Sequence, residues 1–133
     1  MGRKQPSGPL TRLELEIMEV LWKLGSGTVQ QVLEKMPPPG PKLAYTTVQT
    51  MLTVLYRKGK ATRTLKGKAY EYAPALSRKK ATHIALRDTL NRFFGGSAES
   101  LVMSLVENRQ ISAGKLAKLT RLIEESELKE RKG

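Results

Sequence analysis

The stretch YTTVQTMLTVLYRKGKATRTLKGKAYEYAP, residues 45–74, decides the fold, because its hydrophobic period changes midway. From about Ala44 to Lys58 the apolar positions Val48, Met51 or Leu52, and Leu55 recur at helical spacing, and Gly59 closes the helix. The opposite face carries Thr46, Thr47, Gln49, Thr50 and Thr53. Beyond Gly59, Ala61–Leu65 and Ala69–Ala73 are short and rich in Thr and Tyr, with Lys66-Gly67-Lys68 between them. Such a pattern predicts a β-hairpin with a basic tip, ended by Pro74.

Upstream, the signals are helical. Thr11 and Glu14 have the spacing of a capping box, which satisfies unpaired amides at a helix start. Leu10, Leu13, Ile17, Leu21 and Leu24 follow at intervals of three and four, with Val20 beside them, and predict one apolar stripe. Glu14, Glu16 and Glu19 are expected mostly on the other side, so this helix should not face phosphates. Gly25 ends it, and Thr28 is placed to cap a shorter helix carrying Val29, Val32, Leu33 and Met36. The run from Pro37 to Pro41 stops that helix, since proline lacks the amide. Three helices followed by a hairpin predict a mainly α fold with a small β-hairpin wing, a winged helix-turn-helix over residues 10–75. Residues 1–9 read as a loose basic arm.

Downstream, Ser77 opens a helical segment to Phe94 with Ile84, Leu86 and Leu90, closed by Gly95-Gly96. Ser97 and Ser112 are positioned to cap two further helices. Residues 76–128 are therefore read as a helical dimerisation segment and 129–133 as a flexible tail. Leu90, Phe93, Phe94, Leu101, Leu105, Leu116, Leu119 and Ile123 have no evident partner within a small winged domain. Either they fold back on their own wing domain or they meet a second chain; so many apolar side chains on short helices favour the second.

Composition narrows the function. In 133 residues Lys and Arg outnumber Asp and Glu by 24 to 12, a net charge of +12, which favours a polyanionic partner. There is no Cys and one His, His83, so thiol catalysis and nearly every zinc or copper site are excluded. No metal or other cofactor is expected, and no nucleophile, base or paired acids point to an enzyme. No stretch has the roughly 18 continuous apolar residues of a membrane span, so a soluble cytoplasmic protein is expected. RNA or an acidic protein is the alternative partner, but aromatic residues for base stacking are only 5% of the chain.

Six basic residues and no acidic one lie between Arg57 and Lys68: Arg57, Lys58, Lys60, Arg63, Lys66 and Lys68. They span the helix end and the wing, where phosphate contacts position a protein on duplex DNA. Base reading falls to the Thr/Gln face: Gln pairs bidentately with adenine, and a Thr methyl meets the thymine methyl. Tyr45, at the helix start, is a candidate for the DNA backbone. One of Tyr70 and Tyr72, which alternate with Ala, is expected to pack on the core while a hydroxyl reaches a phosphate. Trp22 is read as packing rather than as a ligand contact, and His83 as a surface or interface residue rather than a metal ligand.

Three segments, TRLELEIMEVLWKL from Thr11, TVQQVLEKM from Thr28 and the 45–74 stretch, resemble the penicillinase-repressor family, the BlaI/MecI-type transcriptional repressors. The resemblance continues through FFGGSAESLVMSL, residues 93–105, and so covers nearly the whole chain. It implies a homodimer that binds a palindromic double-stranded DNA operator through its winged domains and interlocks through its C-terminal helices. By position it implies base-edge roles for Thr46, Thr47, Gln49 and Thr50, and places Thr53 and Arg57 nearer the backbone. It makes Arg63, Lys66 and Lys68 phosphate-facing. Position 49 is often Arg in the family, so with Gln49 the resemblance does not carry over the exact operator sequence. The resemblance also implies release of repression through a membrane sensor-protease pathway, the matching bond being Ser104-Leu105 where the best-known members have Asn-Phe. Copper-sensing relatives carry a Cys-rich motif that this chain lacks.

Overall fold

Side chains set where the helices begin. In the computed structural model, which describes residues 8–37 and 44–132, helix α1 spans Arg12–Leu24. Thr11 Oγ1 accepts from the Glu14 amide at 3.2 Å, and the Thr11 amide donates to Glu14 Oε1 at 2.8 Å. The same reciprocal box, Thr28 with Gln31, starts α2 (Val29–Lys35) directly after strand β1 (Gly27–Thr28). Helix α3 follows at Tyr45–Arg57, then strands β2 (Ala61–Lys66) and β3 (Ala69–Pro74). Helices α4 (Arg78–Phe93), α5 (Ala98–Glu107) and α6 (Ala113–Lys132) complete the chain, with Ser77, Ser97 and Ser112 each accepting an amide of the first turn. The predicted proline stop falls partly outside the described residues, since positions 38–43 are not among them, and the same holds for most of the basic arm.

The sheet has three antiparallel strands in the order β1-β3-β2, with Arg63 opposite Tyr72 and Lys66 opposite Ala69. The hairpin was expected from the sequence; β1, which pairs Gly27 with Tyr72 and Thr28 with Glu71, was not. Gly67 holds φ +64 at the first of two loop positions, the glycine-first pattern of a tight hairpin turn. At the end of α3, Gly59 takes φ +77, and its amide and that of Lys60 bond back to the carbonyls of Tyr56 and Leu55. This C-terminal motif turns the chain sharply into β2.

The chain divides into two compact units, one ending at Asp88 and the other starting at Thr89. The division falls inside α4 rather than at residue 75, because Ala81 and Ile84 still pack on the first core. That core joins Ile17, Met18, Val20 and Leu21 of α1 to Val29 and Val32 of α2 and Val48, Leu52 and Leu55 of α3, closed by Ala61, Tyr72 and Leu76. Met51 is only partly buried, so Leu52 is the inward residue of the pair. Leu24, counted in the apolar stripe of α1, is exposed; Met18 takes the buried place instead.

Glu14 corrects the expected polarity of α1. It is 1% exposed rather than on the solvent side, and Lys58 Nζ donates to its Oε2 at 2.9 Å. Trp22 packs against the core, donates its indole N–H to the Leu76 carbonyl at 2.8 Å, and lies under the Arg78 guanidinium. Arg78 in turn grips Glu19 with two bonds of 2.7 and 2.6 Å.

In the second unit no described residue is buried. Of the residues expected at a dimer interface, Leu90, Phe94, Leu101 and Leu105 are half-buried, and Phe93, Leu116, Leu119 and Ile123 are exposed. Helix α6 continues through Lys132, so residues 129–132 are helical rather than a tail. Glu125 and Glu127 stand four residues before Lys129 and Arg131, a spacing that favours the added turn. Among the described residues no helix is long and apolar enough to cross a membrane.

Candidate nucleic-acid interface

Helix α3 is anchored from inside and bare outside. Val48, Leu52 and Leu55 are fully buried, which fixes the rotation of the helix and leaves Tyr45, Thr46, Gln49, Thr50 and Arg57 exposed. Thr47 and Thr53 lie half-buried at the borders of that face. Thr53 Oγ1 donates its single proton to the Gln49 carbonyl at 2.9 Å, so in this rotamer it offers an external group only its methyl and lone pairs. No side chain caps α3, whereas Thr11, Thr28 and Ser97 cap α1, α2 and α5. Its first-turn amides therefore lack the side-chain oxygen that a phosphate could replace.

The basic residues beyond Arg57 are not equivalent. Lys58 is half exposed, but its ammonium is held by buried Glu14. Lys60 is 1% exposed and reaches the Pro9 carbonyl at 3.4 Å, so the expectation that it faces phosphates with the others is wrong. Desolvation lowers the Lys60 pKa, partly offset by the charge of Glu14. Burial alone would raise the Glu14 pKa, yet the Thr11 amide, Lys58 and Lys60 together hold it below its ordinary value.

On the wing, Lys66 pairs with Glu71 at 3.0 Å on the surface. Lys68, at the exposed tip, has no partner among the described residues. Arg63 is half-buried, with its guanidinium 4.1 Å from the Tyr56 ring centre and 4.0 Å from that of Tyr70. It also hydrogen-bonds the Tyr72 side chain, which outweighs partial desolvation and raises its pKa. Of the two alternating tyrosines, Tyr72 packs inward at 2% exposure and Tyr70 remains exposed. Sequence reasoning missed the engagement of Lys58, Lys60 and Arg63 because the partners are distant in the chain, Glu14 lying 44 residues from Lys58. His83 is exposed on α4, and no group of potential metal ligands occurs among the described residues.

Ser104 and Leu105 lie half-buried within α5, and the Ser104 carbonyl accepts the Asn108 amide at 3.0 Å. The bond between them is therefore helical in this state.

Comparisons with known proteins show the family. Residues 10–125 match the model of the penicillinase repressor family. The chain is 31% identical to the penicillinase repressor of Bacillus licheniformis over 115 residues, 84% of this chain and 87% of that protein. It is 22% identical over 117 residues to the methicillin resistance regulatory protein MecI of Staphylococcus aureus (strain N315), 86% of this chain and 92% of MecI. Its fold is similar to the solution structure of the DNA binding domain of the repressor BlaI, with a TM-score of 0.50 and 28% identity. That match covers 59% of this chain and 93% of the other.

Proposed function

The chain belongs to the penicillinase repressor family, and we propose that it represses transcription as a homodimer seated on a palindromic DNA operator. It is a DNA-binding transcriptional repressor and not an enzyme. Helix α3 enters the major groove and presents Thr46, Thr47, Gln49 and Thr50 to base edges. Arg57, Lys66 and Lys68 meet phosphates on either side, and Tyr45 and Thr53 border the backbone. Lys58 and Arg63 contribute less directly, since Lys58 is held by the buried Glu14 and Arg63 between two tyrosine rings, whereas Lys66 meets Glu71 at the surface, where a phosphate can displace it.

The observation that carries this reading is the exposed Thr/Gln face of α3, fixed from behind by Val48, Leu52 and Leu55. A solvated helix face gains nothing from so many threonines, which are modest helix formers. Base edges supply a reason for them. The uncovered apolar side chains of α5 and α6 support the dimer, because a palindrome is read by two copies related by two-fold symmetry. Repression takes place in the cytoplasm. It ends when a membrane sensor-protease pathway leads to cleavage at Ser104-Leu105, a bond that must leave its helix first.

Affinity for a duplex carrying the inverted repeat, compared with a scrambled duplex of equal length, tests the proposal by fluorescence anisotropy. On the order of 10³-fold preference is expected, with a steep loss as salt rises. Equal affinity for both duplexes would overturn it.

A further inference from the structure

Arg63 stands on β2 directly opposite Tyr72 and diagonally across from Tyr70 on the neighbouring strand, so all three share one face of the hairpin. Tyr56 belongs to a different element, the last turn of α3. The guanidinium lies at 4.1 Å from the Tyr56 ring and 4.0 Å from the Tyr70 ring, and bonds to Tyr72 as well. Among the described residues no carboxylate pairs with it, whereas Lys66 on the same strand has Glu71. A cation held between two aromatic faces is oriented by its planar fork and by stacking, which an ammonium cannot reproduce.

We propose that Arg63 is a positioning residue that clamps the wing to the end of the recognition helix, its charge directed at Tyr56 and Tyr70 rather than at a phosphate. This rests on the reading of the domain as a DNA-binding one, and it differs from the phosphate role that the family resemblance implies for position 63. At this end the wing and α3 are also joined by the hydrogen-bonded Gly59 turn and by Ala61 and Tyr72, which share the core with Leu55 but lie at the base of the hairpin rather than out toward its tip. The Arg63 stack crosses that turn from the Tyr56 side. The angle of the hairpin to α3 is thereby set before DNA arrives, so a wing cation such as Lys68 meets the backbone while α3 is seated in its groove.

Three substitutions and two readouts test the clamp. Arg63→Lys keeps the charge, and Tyr56→Leu removes one face of the stack without touching any charge. In the free protein, amide hydrogen exchange of β2 and β3 should rise in both variants while protection in α1 stays as in wild type. This readout needs no DNA, so it stands or falls apart from the proposed function. On the inverted-repeat duplex Arg63→Lys should bind about tenfold more weakly, since it loses the planar stack on both rings, and Tyr56→Leu should bind less weakly than that, since it loses one ring, both with an unchanged salt slope. The double variant should be no weaker than Arg63→Lys alone. Overturning results would be an Arg63→Lys protein with wild-type wing exchange, or additive losses in the double variant. A salt slope reduced by about one in Arg63→Gln with wing exchange unchanged would equally overturn the clamp, since that is the signature of a lost phosphate contact.

Discussion

Between Ile17 and Ala81 apolar side chains from three helices, the sheet and the start of α4 close over one another, many of them to zero exposure. From Thr89 to Arg131 no described residue is buried, although that region is helical almost throughout and rich in leucine. Both regions thus have caps, periodicity and secondary structure, but only the first has an interior. Caps and period are settled within a turn of chain, whereas an interior needs surfaces that face one another. The first region finds those surfaces in itself. The second leaves Phe93, Leu119 and Ile123 open, the surface that the proposed second copy would cover.

The sharpest way to break this contrast is Leu52→Ala. Leu52 is fully buried on the inner side of α3, and its truncation should cost about 3–4 kcal/mol by urea denaturation. A loss below about 1 kcal/mol would mean that the first region is not the packed body described. Next comes Glu14→Gln, which leaves Lys60 without its nearest negative charge and should cost about 3 kcal/mol. Here pH adds a signature. The folded pKa of Glu14 lies below its ordinary value of 4.5, so its contribution is complete above that value and disappears as pH falls through the lowered one. Wild type should therefore lose stability on the acid side faster than Glu14→Gln, and parallel curves would remove Glu14 from the account.

For the second region, Leu119→Asp combined with Ile123→Asp should drop the solution mass toward that of one 14.8 kDa chain. Affinity for the inverted repeat should fall about 100-fold as the two half-sites cease to be bound together, while half-site binding persists. An unchanged mass would show that this face does not hold a second copy. The smallest effect belongs to the outer face of α3. Thr50→Ala should cost about 1–2 kcal/mol of discrimination between operator and scrambled duplex and leave denaturation unchanged. Lys68→Ala should instead weaken all duplexes alike and lower the salt slope by about one.

The contrast also marks what was legible in the sequence. Thr11, Thr28, Ser97 and Ser112 announce their helices because a cap and its amide lie three residues apart. The α3 face is legible for the same reason: Val48, Leu52 and Leu55 are spaced by the helix that buries them. Strand β1 was not, since two residues carry no period and their partners are Tyr72 and Glu71. Glu14 resembles any surface glutamate until Lys58 is brought against it. Arg63 was legible as a wing cation, but its neighbours were not, because Tyr56 reaches it only through the turn at Gly59. Charge could be counted in advance; its direction required the fold.

Trp22 is the single tryptophan of the chain, wedged between the Leu76 carbonyl and the Arg78 guanidinium. Its near-ultraviolet emission is consequently an optical gauge already installed where α1 meets the first turn of α4. Unfolding of the first region will register in that emission without any label. The α3 face and the wing, by contrast, carry no tryptophan, so a spectral change on adding DNA would report a disturbance transmitted into the body of the domain.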